Sequence, residues 1–269
     1  MSLQKLSIAT LQKVQSHIRQ SLRLPELEDQ PRPELPTTEE DEVPEPESLD
    51  GLGDLFRVGS TPDETLSIPN LDGRWFISTI DAGRAFNRLP ISLKPDLRLV
   101  TYLYRTDEDG GSVTWAIPEQ LSATAQLEAA LMSTTDSDNP PYPEGALLKL
   151  MSGVMGDRSA LSFVTASVMR RELEELGRVG NHCDWGHHRF IATIPQQRQW
   201  KWRMKPPTDL QPKIRLLPDG QAAVEFFTCR VAPPIGIYRH VDQYPAASYL
   251  AKSIDQPIAT VPEAMASAR

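Results

Sequence analysis

Leu3, Leu11, Val14, Ile18 and Leu22 recur at mostly three- and four-residue steps with polar residues between them, the pattern of one apolar stripe along a helix. The spacing predicts an amphipathic helix over residues 1–24, about 36 Å long at 1.5 Å per residue. Such a helix does not persist in water unless its stripe is packed. Two arrangements stay open: docking on the chain's own domain or self-association, and a helix for a protein partner or a membrane surface. The periodicity then stops. Residues 25–50 carry Pro25, Pro31, Pro33, Pro36, Pro44 and Pro46 among eleven acids, with too few apolar groups to offset the entropy of ordering. They predict a disordered acidic linker spanning up to about 80 Å if drawn out at about 3.1 Å per residue.

From about Leu52 the pattern becomes globular, predicting a single domain over 51–260 and a flexible tail over 261–269. The aromatic and β-branched run Gly73 to Ile80 reads as a strand. Leu97 to Arg105 alternates between two faces and, with Ser112 to Ile117 across Gly110-Gly111, predicts a hairpin. Lys213 to Leu217 and Ala222 to Val231 predict a second around Pro218-Asp219-Gly220. Further strands are expected at Phe190 to Ile194, Trp200 to Met204 and Ile237 to His240. Helices are expected after Ser122, around Ala146 to Ser152, from Ser159 to a stop at Gly177, and near Ala246 to Ser253. Hairpins followed by consecutive helices predict an α+β domain, an antiparallel or mixed sheet with about three helices.

Charge changes this picture in one respect. The formal net charge is −8. Residues 1–24 hold four cations and no acid, residues 25–50 hold eleven acids against Arg32, and the rest is close to neutral. The acidity thus belongs to the linker and says nothing about partners of the domain. Two cysteines make no disulfide framework, and no stretch reads as a secretion signal. No apolar run approaches the roughly 20 residues of a membrane span. A reducing cytoplasm is the expected location.

Candidate chemistry concentrates in Asn181-His182-Cys183-Asp184-Trp185-Gly186-His187-His188, which holds three of five histidines and one of two cysteines. A zinc site would take Cys183 and His187, at a spacing one turn can fold around an ion, with Cys229 and His240 from separate elements. The competing reading is a hydrogen-bonded loop with both cysteines as small buried apolar residues. His187 and His188 are adjacent, so on a strand they face opposite ways and only one can enter a shared site. A thiol enzyme would use Cys183, with His182, His187 or His240 as base and Asp184 or Asp242 to orient it. No CxxC, HExxH or oxyanion loop supports either chemistry. Trp200-Lys201-Trp202-Arg203-Met204-Lys205 interleaves aromatic and basic residues as single-strand nucleic-acid platforms do. On a strand, however, tryptophans and cations fall on opposite faces, as in any half-buried strand.

The block Gly73-Arg74-Trp75-Phe76-Ile77-Ser78-Thr79-Ile80-Asp81-Ala82-Gly83-Arg84-Ala85-Phe86, with His182-Cys183-Asp184-Trp185, resembles conserved cyanobacterial proteins of unknown function. The resemblance spans much of residues 73–260 and implies a lineage without implying chemistry. The sequence therefore points to a non-enzymatic accessory or protein-interaction protein. Alternatives are a metal- or thiol-dependent enzyme built on the His182–His188 loop and a nucleic-acid-binding protein.

Overall fold

The computed structural model describes residues 2–29, 73–106, 109–134, 138–196 and 198–262. Most of the acidic linker and the tail from residue 263 lie outside the described residues. A short strand, β1 (Ser2–Lys5), precedes Ser7, which caps α1 (Ile8–Ser21), its hydroxyl accepting the Thr10 N–H at 3.2 Å. Leu11, Val14, Ile18 and Leu22 are buried as the stripe requires. Leu3 is 56% exposed because it belongs to the strand and not to the helix. The stripe packs on the chain's own core, and the one-turn α2 (Glu26–Asp29) follows.

The chain continues through β2 (Trp75–Ile77), β3 (Ile91–Leu93), β4 (Leu97–Arg105), β5 (Gly110–Pro118), α3 (Thr124–Met132), β6 (Val154–Gly156) and α4 (Ala160–Glu175). It ends with β7 (His188–Phe190), β8 (Lys201–Trp202), β9 (Lys213–Leu216), β10 (Ala222–Arg230), β11 (Gly236–Tyr244) and β12 (Lys252–Thr260). The architecture is α+β, and every strand pair described is antiparallel. The large sheet runs β1-β9-β10-β11-β12-β8, with β7 also paired to β10. A second sheet runs β2-β4-β5, and β3 pairs with β6. No helix among the described residues is long and apolar enough to cross a membrane.

Both predicted hairpins form, with Leu97 opposite Pro118 and Ala222 opposite Leu216. The alternation of β4 is used on both faces. Leu99 and Leu103 enter the main core under α1 and α4, while Val100 and Tyr102 pack with Leu127 and Ala130 of α3. The large sheet is likewise covered on one face by α4, through Ile214, Val224, Phe226 and Tyr244. Its other face holds Leu210, Phe227, Ile237 and Ile258, with Trp200 and Trp202 packed against them.

Besides the N-terminal helix, which begins only at Ile8, and the strand expected over 73–80, which shrinks to Trp75–Ile77, four expected elements differ. Residues 146–152 form no α-helix, only a 3₁₀ turn at Leu150–Gly153 leading into β6. The helix expected near 246–253 is absent, because Lys252 onward pairs with β11 as β12. Pro257 is accommodated there opposite a register shift between Ile237 and Tyr238, where a missing N–H costs least. The strand expected over 190–194 is His188–Phe190, limited to the stretch that faces β10. That expected over 200–204 shrinks to Lys201–Trp202.

α4 is the central element. Ser159 caps it, accepting the Ser162 N–H at 3.1 Å. It is buried nearly all round, because α1 and the large sheet close on it from different sides. Gly177 ends it at φ +72°, and a Cβ there would lie 2.6 Å from Leu103 Cδ2. Gly177→Ala is therefore expected to destabilise the fold by about 1–3 kcal/mol, read as a shift in urea unfolding.

Candidate functional site

Glu175, in the last turn of α4, organises the histidine-rich loop. One carboxylate oxygen accepts the backbone N–H groups of Asp184 (2.8 Å) and Gly186 (2.9 Å) and the Cys183 thiol (3.0 Å). Burial and that carboxylate push the Cys183 thiol up to about 11, the opposite of what an activated nucleophile needs. In a Cys229→Ala background, Cys183 should react with a disulfide reagent near neutral pH at least about tenfold more slowly than free cysteine. A rate equal to or above that of free cysteine would reverse this assignment.

The four residues considered for zinc are not brought together. Along β10, Phe226 and Thr228 face α4, so Phe227 and Cys229 face the opposite side of the sheet. His240 lies on the α4 side, bonded to Thr228, and Cys183 is held by Glu175 in its loop. Both cysteines are free. Among the described residues, no group of three or more His, Cys, Asp or Glu is arranged to hold a metal ion.

What the structure assembles instead is a buried polar chain between α4 and the large sheet. Arg171, 4% exposed, forks onto Asp242 (2.6 and 3.1 Å) and reaches Asp255 (2.5 Å). Asp255 lies opposite His240 in the β11–β12 register and receives its Nδ1–H at 2.6 Å. His240 Nε2 meets Thr228 Oγ1 at 2.7 Å, and the same oxygen meets His188 Nδ1 at 2.7 Å. Polarity follows from the carboxylate. An ionised Asp255 fixes the proton of neutral His240 on Nδ1, so Nε2 accepts the Thr228 hydroxyl, whose oxygen accepts His188 Nδ1–H. His188 Nε2 is left buried and without a hydrogen-bond partner, 3.8 Å from Asp184 Oδ1.

The electrostatics agree with that assignment. Burial lowers the His188 pKa to about 4, helped by the neighbouring His240. Burial also lowers His240, against the pull of Asp255. Burial alone would lower the Arg171 pKa and raise those of Asp242 and Asp255. Their mutual attraction and hydrogen bonds reverse all three, so the ions stay charged. Trp185 stacks on His188 with ring centroids 5.4 Å apart, and Phe226 stacks on His240 at 4.8 Å. Trp185 Nε1 donates to Glu172 at 2.7 Å, and Glu172 also receives Gln15 (2.7 Å) and Arg19 (2.8 Å) from α1. One carboxylate thus ties the N-terminal helix to the aromatic cover of the chain.

Asp255, His240 and Thr228 stand in the order of an acid, a base and a hydroxyl nucleophile. Thr228 is 1% exposed, both of its hydrogen-bonding directions are occupied by imidazoles, and it lines none of the described clefts. None of the clefts found among the described residues brings a substrate within reach of the Thr228 hydroxyl. His187 is half-buried outside the chain, while its neighbour His188 points in. The orienting carboxylate of His240 is Asp255, and Asp242 serves Arg171 instead. Trp200 and Trp202 turn toward the sheet while Lys201, Arg203 and Lys205 are exposed, separating stacking from charge. Comparison of the chain with protein-family models, with curated proteins and with solved structures finds no match.

Proposed function

We propose that the chain is a non-enzymatic accessory protein that engages a macromolecular partner in a reducing cytoplasm. The observation carrying this reading is the closure of the reactive cluster. A nucleophile or general base must come within hydrogen-bond reach of a substrate, whereas Thr228, His188 and His240 are 4% exposed or less and line no described cleft. The Cys183 thiol is held in its inert form. The apolar stripe of α1 is occupied by the core, so partner contact falls to the outer surface and to the acidic, proline-rich residues 25–50. Glu28 of that stretch is buried and held by Ser78 and Thr79, but residues 30–50 carry eight acids against Arg32, which suit a basic partner surface and predict salt-sensitive association.

The test is affinity capture at matched bait levels, using the intact chain and a chain whose residues 30–72 are replaced by an uncharged Gly/Ser segment of equal length. The expected result is a partner whose recovery falls at least about tenfold with the replacement and falls with rising salt. Equal recovery by both baits would overturn the reading. So would substrate turnover abolished by Thr228→Val.

A further inference from the structure

A cleft of about 340 Å³ opens beside α4, between β5 of the smaller sheet and the start of β12 of the larger one. Its apolar lining comes from Val113, Leu150, Met151, Leu173 and Leu250, of which Met151 and Leu173 are each 4% exposed. Its charged lining is Lys149, Arg170, Glu174 and Arg178. Arg170 gives Nη1 to Glu174 (2.7 Å) and turns Nη2 toward Asp255 (3.4 Å) and Asp242 (3.7 Å). Its Nε–H is buried with no acceptor. Lys149 and Arg178 are exposed, and neither has a carboxylate partner among the described residues.

The balance of charge around the cleft is informative. Arg170 and Arg171 are set against Glu174, Asp242 and Asp255, and adding Lys149 and Arg178 leaves a single positive charge over. Concave apolar sites of about 300–1,000 Å³ with a few convergent polar groups are the usual form of a small-molecule site, and this one lies at the small end of that range. We propose that the cleft binds a small amphipathic monoanion, an apolar chain ending in one carboxylate. The chain lies on Val113, Leu150 and Leu250, and the carboxylate meets Lys149 and Arg178 at the rim. A buried chain of this kind draws its affinity from apolar area, and the rim cations select the charged end.

The experiment is calorimetric titration of sodium octanoate into the intact chain. Saturable binding at one site is expected, with octanol, which has the same apolar body and no charge, binding at least about tenfold more weakly. Lys149→Glu combined with Arg178→Glu alters two exposed, unpaired side chains, so the unfolding midpoint should hold. Octanoate affinity should fall at least about tenfold while octanol affinity stays the same. Ala251→Phe, which fills the cleft, should lose both ligands. No saturable octanoate binding to the intact chain would overturn the proposal. So would equal octanoate affinity in the double variant, or displacement of octanoate by inorganic phosphate. Replacing residues 30–72 should leave octanoate binding unchanged, so this proposal and the partner reading fail separately.

Discussion

Replacing Arg171 by methionine should destabilise the fold by about 3–5 kcal/mol, the cost of leaving a buried ion without its partner. The stranded group is Asp242, whose side chain is fully buried and whose two short hydrogen bonds both come from Arg171. Arg170 stands 3.7 Å from the same carboxylate and is already engaged by Glu174, so it substitutes poorly. Asp255 is 42% exposed and keeps His240, so its share of the loss is small. The decisive comparison is the double change Arg171→Met with Asp242→Asn. It removes the uncompensated charge and should be less destabilised than Arg171→Met alone by about 1–3 kcal/mol, although it carries more substitutions. Urea unfolding at neutral pH reads both values. A loss below about 1 kcal/mol for the single variant would mean that the ion network does not hold α4 to β11 and β12.

The second large effect is a loss of stability on mild acidification. His188 is neutral in the folded chain, with its pKa lowered to about 4 from an unfolded value near 6.5 by burial and by His240. Between those values the unfolded chain binds more protons than the folded one, so stability falls as pH falls. The contribution is fully present above about pH 7, is lost progressively from about 6.5 to 4, and amounts to about 3 kcal/mol at most. His240 is shifted in the same direction and adds to the same window. Asp242 and Asp255 are lowered from carboxylate values, so their contributions persist throughout that window and are lost only below about pH 4. Urea midpoints at pH 7 and pH 4.5 should therefore separate sharply in the native chain and less in His188→Asn, which keeps the contribution of His240. Equal separations in the two would assign the acid sensitivity to other groups.

Periodicity made the framework readable and failed where partners lie far away. The stripe of α1, the capped run from Ser159 to Gly177 and the two hairpins carry their signals locally, and each forms as the pattern requires. β1 is four residues long, exposed throughout, and defined only by its pairing with β9. β12 includes Pro257, which argues against a strand until the bulge beside it at Ile258 is seen, where two steps of β12 face one step of β11 from Tyr238 to Ile237. The site shows the same division. The loop at 182–188 was visible as a concentration of reactive groups, but three of the four residues considered for zinc lie outside the chain that forms. His188 was recoverable from alternation alone, since His188 and Phe190 point in while Arg189 points out. Thr228 and Asp255 reach His240 only through strand register, and Arg171 only through the crossing of a helix over the sheet. Such relations have no local signature in a single sequence.

The pairing of Ser2 with Leu216, and the grip of Glu172 on Gln15 and Arg19 across 157 and 153 residues, bear on the order of assembly. Local pieces such as the β4–β5 hairpin can form as soon as they emerge, whereas α1 has its most extensive contacts with α4 and cannot finish burying its stripe until α4 exists. Contacts this distant slow folding, because the entropy of closing long loops comes before the reward of burial. Until then α1 emerges from synthesis as an uncovered amphipathic segment, and during that interval this protein is most exposed to aggregation and to chaperone capture.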